Sequence, residues 1–238
     1  MTINGKNTVT VWNAKQHHII IGHNEVDRSS KWIRSAILPH FGAGYLGFKQ
    51  ISVDMIMNGA SREAIIGNIS NILAEIEKGP AKLAFDGYTH QFEGVLKSSK
   101  IDEVVMRRFH KLSLTFIGYE YGTEVLATGV GSVAVTNPGN ILSPVKLEIT
   151  PSATATDVTV TGLCRDPRTG EDLPVTLETV TQGRVILLDG ANGLFKDGTA
   201  LKADLDIKAL PGIIGGSATI TCSDASAVMA LSVLPLYM

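Results

Sequence analysis

Residues 61–92, SREAIIGNISNILAEIEKGPAKLAFDGYTHQF, decide the fold. Ser61 is placed to cap a helix, Glu63 complements the positive end of its first turn, and Gly79-Pro80 stops it. Between them Ile65, Ile69, Ile72, Leu73 and Ile76 recur at helical spacing, while Asn68, Asn71, Glu75 and Glu77 face away. The spacing predicts one amphipathic helix over 61–78, whose apolar stripe needs a sheet to cover. Burying the five stripe side chains contributes roughly 10 kcal/mol before entropy, at about 1.5–3 each. Directly after it, Asp86-Gly87 sets a hairpin-type dipeptide between LAF and YTHQFEGVL, two strand-like runs.

The segments around this core are expected to be β. Thr8 to Trp12 alternates as a short strand, and His18 to Ile21 reads as a second. Arg28 to Leu38 fits neither period cleanly, and Gly42 to Gly47 is expected to be a flexible loop. Phe48 to Met57 sets Ile51, Val53, Met55 and Met57 against Ser52 and Asp54, as a half-buried strand should. Val104 to Ile117 closes the region, with Leu112, Leu114 and Phe116 on one face. Its apolar phase flips at Val105 and Phe109, which a bulge near His110 would reconcile.

The two halves differ in composition. Up to Glu124 there are 14 Lys and Arg against 12 Asp and Glu, a balance of +2; beyond it there are 7 against 11, or −4. Twelve of the 14 aromatic residues and all six histidines lie in the first half, leaving Phe195 and Tyr237 for the second. The remainder is rich in Val, Ile, Leu, Thr and Ala, the filling of a β-sandwich. Strands are expected near 145–150, 157–163, 173–180, 183–188, 193–196, 203–209, 217–222 and 227–234, with turn residues between nearly all of them. The chain therefore divides into a first domain over 1–124, a linker over 125–137 broken by glycines and Asn137-Pro138-Gly139, and a second domain over 138–238.

Candidate chemistry is sparse. A net charge of −2 with 18% charged residues excludes a chain built on attraction to nucleic acid or an anionic membrane. The opening MTINGKN is polar and no apolar run approaches about 18 residues, so neither a secretory signal nor a membrane span is expected. Cys164 and Cys222 are too few for a disulfide framework or metal site and are expected to be reduced thiols. Gly42-Ala43-Gly44-Tyr45-Leu46-Gly47 matches the dinucleotide fingerprint in letters, but Pro39 precedes it and a strand follows, where the motif needs a helix N-terminus. His17, His18 and His23 have no acidic or thiol ligands at metal spacing; Asp189, Asn192, Asp204 and Asp206 do not form a calcium loop. No nucleophile elbow appears, and neither cysteine has a histidine in its own half, so no enzyme and no cofactor are expected. Lys97, Lys100, Arg107, Arg108 and Lys111 form the one basic cluster, either a solvated edge or a surface towards a polyanion or acidic partner.

Taken in order, the strand FKQISVDMIM, the helix REAIIGNISNILAEIEKG, the hairpin AKLAFDGYTHQFEGVL and the closing strand KLSLTFIGYEYG resemble the distal tail proteins of long, non-contractile tailed phages. So does the second half, with NPGN, ILSPVKLEIT and GRVILLDGANGLFKDGTA. The resemblance covers nearly the whole chain and rests on order and spacing. It implies a mainly β protein: an N-terminal, ring-forming, tail-tube-like β domain with one packed α-helix, and a C-terminal galectin-like β-sandwich. It also implies a non-enzymatic homo-hexamer at the virion tail tip, assembled in the bacterial host cytoplasm. The ring would join the major tail tube protein to the tail-associated baseplate or fibre proteins and pass the tape-measure protein and DNA through its lumen, with the basic cluster as a candidate lumen or partner surface. Galectin sites stack a sugar on Trp beside His, Asn and Arg. The second half has no Trp or His, and Asp166-Pro167-Arg168 is the nearest fragment, so sugar binding is not expected. The alternative is a carbohydrate-binding adhesion module.

Overall fold

The computed structural model describes residues 1–24, 26–31, 40–103, 108–166 and 169–238, with backbone alone for 26–31, 40–46 and 103. The chain is mainly β and forms two compact units, Met1–Tyr121 with Met238 and Gly122–Tyr237. The first unit runs β1 (Thr2–Ile3), β2 (Lys6–Asn7), α1 (Thr8–Trp12), β3 (Ala14–Ile21), β4 (Val26–Lys31), β5 (His40–Leu46), β6 (Lys49–Asn58), α2 (Arg62–Ile76), β7 (Ala81–Ala84), β8 (Gln91–Glu103) and β9 (Phe109–Tyr121). An antiparallel sheet has the order β2-β1-β7-β8-β9-β6-β3, and β4 pairs separately with β5.

Alternation explains how that sheet acquires a dry face. Ile51, Val53, Met55 and Met57 of β6 and Leu112, Leu114 and Phe116 of β9 are all buried, and the two strands pair in unbroken register. In α2, Ile65, Ile69, Ile72 and Ile76 are buried in the same cluster, and Leu73 packs against it half-buried. The Ser61 hydroxyl accepts from the Ala64 N–H at 3.2 Å. A hydrogen bond from its own backbone, then one from Ser61, holds the Glu63 carboxyl below the usual range. Glu75 departs from the expected outward face. It is only 8% exposed because the Lys6 and Lys78 ammonium groups, at 2.8 and 2.6 Å, bring compensating charge to the rim.

Four other expectations for this unit need correction. Thr8 to Trp12 is a second helix, not a strand: the Asn7 side chain accepts from the Val9 and Thr10 N–H groups, and Asn13 closes the helix at φ +52°. These caps outweigh the β preference of TVTVW. The glycines of 42–47 belong largely to β5, where Gly44 lies opposite Arg28. His110 is in phase with Leu112, so no bulge lies there; the irregularity is on β8, between Leu96 and Ser98. Val104, Val105 and Arg107 lie outside the described residues, as do positions 32–38 of the ambiguous Arg28–Leu38 stretch. The Phe85–Tyr88 turn, with Gly87 at φ +78°, sits in a longer loop between β7 and β8.

The second unit contains β10 (Val125–Val130), β11 (Ser132–Asn137), β12 (Ser143–Thr150), β13 (Ala155–Arg165), β14 (Asp172–Val180), β15 (Ile186–Asp189), β16 (Leu194–Asp197), β17 (Ala200–Leu201), β18 (Leu205–Asp206), β19 (Gly212–Ile213), β20 (Gly216–Cys222) and β21 (Val228–Val233). One sheet has the order β10-β21-β12-β15-β16-β17, with β19 on β12; the other has β11-β20-β13-β14-β18. Between them lies a core of small branched side chains, among them Leu147, Ile149, Val160, Val175, Leu177, Leu188, Ile220 and Leu231.

Residues 125–137 are not a linker. They are the first strand of each sheet, joined at Gly131, whose φ of +65° turns the chain from one sheet to the other. A Cβ there would stand 2.4 Å from the Ala225 carbonyl oxygen, so this position requires glycine. The strand expected over 203–209 shrinks to Leu205–Asp206. Just before it Lys202 turns inward, bonding the Thr179 carbonyl at 2.6 Å and Asp204 at 2.9 Å. Cys164 and Cys222 are buried free thiols, and burial pushes Cys164 up to about 12.

Candidate interaction surface

The sheet face of the first unit turned away from α2 carries the basic cluster. Strand register sets its rows: Asp102, Lys111, Ile56 and Lys15 form one, Lys100, Ser113, Asp54 and His18 the next, and Ser98, Thr115, Ser52 and Ile20 a third. Lys111 sits 2.8 Å from Asp54, which also accepts from the Ser113 hydroxyl at 2.6 Å. Burial pushes the Asp54 carboxyl up, but those two bonds outweigh it and hold it below the ordinary range. Lys100 pairs with Asp102 at 3.0 Å, and Lys97, beside the β8 irregularity, donates to Gln50 at 3.2 Å. Arg108 is exposed, and Arg107 lies outside the described residues. The structure therefore brings Lys100 and Lys111 onto one hydroxyl-lined face but matches each with a carboxylate. The surface is polar and mildly basic, since Lys15 and Lys97 add to the two matched pairs, and it can border a polyanion without gripping it.

The other end of this face is aromatic. Phe48, Val95 and Tyr119 are 68%, 47% and 37% exposed, and the Tyr119 and Tyr121 rings lie 5.9 Å apart. Burial, then Glu93, raises the Tyr119 phenol above its ordinary value. The margins of the sheet are also open. β7 pairs with β8 only from Gln91 to Gly94, so among the described residues no strand flanks Val95–Glu103 on that side. β3 ends the opposite margin.

One constellation escaped the sequence reading. Lys49 and Glu120, both almost fully buried, form an ion pair, and Glu120 also receives the Tyr88 hydroxyl at 2.6 Å and His90 Nδ1 at 2.7 Å. The group ties the loop before β8 to the ends of β6 and β9. Its signal was present: Lys49 continues the inward phase of Ile51 and Val53, and Glu120 that of Leu114 and Phe116, so both charges had to face the core. Burial pushes the Glu120 carboxyl up, and Lys49, Tyr88 and His90 together bring it below its usual value.

Metal chemistry finds no support in these positions. His17, His18 and His23 are exposed, and among the described residues no group of three or more His, Cys, Asp or Glu could hold an ion. Asp189 accepts from the Ala191 and Asn192 N–H groups and the Asn192 amide, forming a turn; Asp204 bonds Lys202 and Thr179. No helix among the described residues is long and apolar enough to cross a membrane. Of the nearest galectin-like fragment, Pro167 and Arg168 lie outside the described residues.

No protein-family model matches the chain, and no curated protein does. Solved structures do match. The SPP1 Dit (gp 19.1) protein, described as a paradigm of the hub adsorption apparatus in phages infecting Gram-positive bacteria, aligns with a TM-score of 0.73 at 14% identity. The alignment covers 99% of this chain and 98% of that one. A chain of the phage P2 baseplate in its activated conformation with Ca aligns at 0.53 with 11% identity, over 94% and 91%; the form with Sr gives 0.53 and 12% over the same shares. At these identities the likeness is one of fold.

Proposed function

We propose that this chain is a structural, non-enzymatic subunit of a phage tail-tip hub, built into the virion and assembled in the bacterial cytoplasm. The observation that carries the reading is the match to the SPP1 Dit hub protein over 99% of this chain and 98% of that one. A shared domain alone would not extend through both units.

The open margins of the first unit give this a physical basis. Among the described residues, strands β8-β9-β6-β3 end in unpaired edges at Val95–Glu103 and β3, a row of backbone donors and acceptors that normally needs protection. Pairing β8 of one copy with β3 of the next satisfies both rows through a heterologous contact, and such a contact repeats until it closes. A hexameric ring is the closed form implied by the resemblance. Its lumen would pass the tape-measure protein and DNA, while its faces would join the tail tube to baseplate or fibre proteins. The mildly basic face carrying Lys97, Lys100 and Lys111 suits a lumen, because tight binding would stall a moving polyanion.

Static light scattering on the purified chain tests this, with a mass near six chains expected. Ser99→Pro, which removes a backbone donor from the β8 edge, should leave a folded monomer. Monomers of the unaltered chain at every concentration, together with measurable glycan affinity, would favour the carbohydrate-binding adhesion module instead.

A further inference from the structure

The outer face of the second unit contains a groove of about 320 Å³. Its floor is β21, where Ala230 and Ser232 are too small to fill the space. Leu126 and Thr128 of β10 form one wall, and Lys146 and Glu148 of β12 the other. Register explains the shape: Leu126 lies opposite Ser232 and Ser232 opposite Lys146, and the next row is Thr128, Ala230 and Glu148. Leu126 is 73% exposed and gives the groove an apolar wall.

The charges around it are unbalanced. Lys146 pairs with Glu148 at 3.0 Å, while Glu124, at the end of the groove, adds a second carboxylate. Glu148, and less strongly Asp189 and Glu124, raise the Lys146 ammonium above its ordinary value, so three negative groups act on this single cation. Asp189 is committed to its turn and Glu148 is shared with Lys146, whereas Glu124 is exposed at the end of the groove.

We propose that this groove receives an arginine side chain from an extended segment of a partner protein. An arginine stem would lie along Leu126 and over Ala230, covering apolar surface, while the planar guanidinium reaches Glu124 and shares Glu148 with Lys146. The volume is at the low end of about 300–1,000 Å³ for ligand sites, which suits one long side chain rather than a folded surface. A saccharide fits less well, since none of the lining residues is aromatic. The proposal rests on the hub reading, and it names the chemistry by which the second unit would hold another tail component.

The test is titration of the full chain with a capped hexa-arginine peptide, a hexaglutamate peptide and a neutral oligosaccharide, followed by calorimetry. The arginine peptide should bind, and Glu124→Gln with Glu148→Gln should weaken it about tenfold. Glu171→Gln, in an exposed turn elsewhere on the unit, should leave binding unchanged. Leu126→Ser should weaken it without altering net charge, which separates a groove from a diffuse acidic surface. Equal binding by all variants, binding of the glutamate peptide, or preference for the oligosaccharide would overturn the proposal. Light scattering on the same samples keeps the two readings apart: intact rings with no arginine binding reject the groove alone, and monomers that bind reject the ring.

Discussion

The two units cover a sheet by opposite means. In the second, one sheet covers another, and small branched side chains fill the space between. In the first, α2 covers one face with Trp12 of α1 in the same core, leaving the other face part-exposed and, among the described residues, the margins at β3 and Val95–Glu103 unpaired. A sandwich is complete within one chain, whereas a sheet with one covered face and two long edges is built for neighbours. The aromatic residues concentrate in the first unit, where Trp12, Phe85, Phe92 and Phe116 fill its core and Phe48, Tyr88 and Tyr119 are exposed.

The strongest way to break this contrast is Ile69→Asp. It buries a carboxylate where Ile69 is 2% exposed and should cost more than about 4 kcal/mol, unfolding the first unit. Scanning calorimetry should then retain the transition of the second unit; loss of both together would mean that they fold as one. Next is Glu120→Gln, which strands the buried Lys49 and should cost about 3–5 kcal/mol in denaturant unfolding. Lys49→Met with Glu120→Leu should recover much of that loss, since a buried pair is often replaceable by apolar groups. A smaller effect is expected from Asn7→Ala, about 0.5–2 kcal/mol from the lost cap of α1, confined to the first unit.

Acid should affect both units modestly. The Glu75 carboxyl is drawn down to about 2 by Lys6 and then Lys78, and Asp204 to about 2 by Thr179 and then Lys202. Folded values below the ordinary 4.5 and 3.8 mean that this stability is complete above those values and is lost as pH falls towards about 2. Glu75→Gln should flatten the acid dependence of the first unit only, and Asp204→Asn that of the second only, in unfolding curves taken across that range.

Much of the architecture was legible because burial on one side imprints a period. Ile51 to Met57 and Ile65 to Ile76 carry the periods of two and 3.6 and fold accordingly. Where local hydrogen bonds override period, the reading failed: Asn7 and Asn13 turn TVTVW into a helix. The strands β10 and β11 were hidden because Gly129 and Gly131 resemble breaks, although they form a corner between sheets. The Lys49–Glu120 pair was missed because charge suggests exposure, even at positions whose phase points inward. The basic cluster was legible as composition, and Asp102 lies two residues from Lys100 on the same strand, but Asp54 reaches Lys111 from a neighbouring strand that only the register reveals.

The central claim is that the first unit is completed by copies of itself. Electron microscopy of the purified chain tests this most directly, at a resolution that traces strands. The expected result is a closed annulus in which β3 of each copy runs beside β8 of the next. Single particles at every concentration, or copies joined only through their second units, would contradict it.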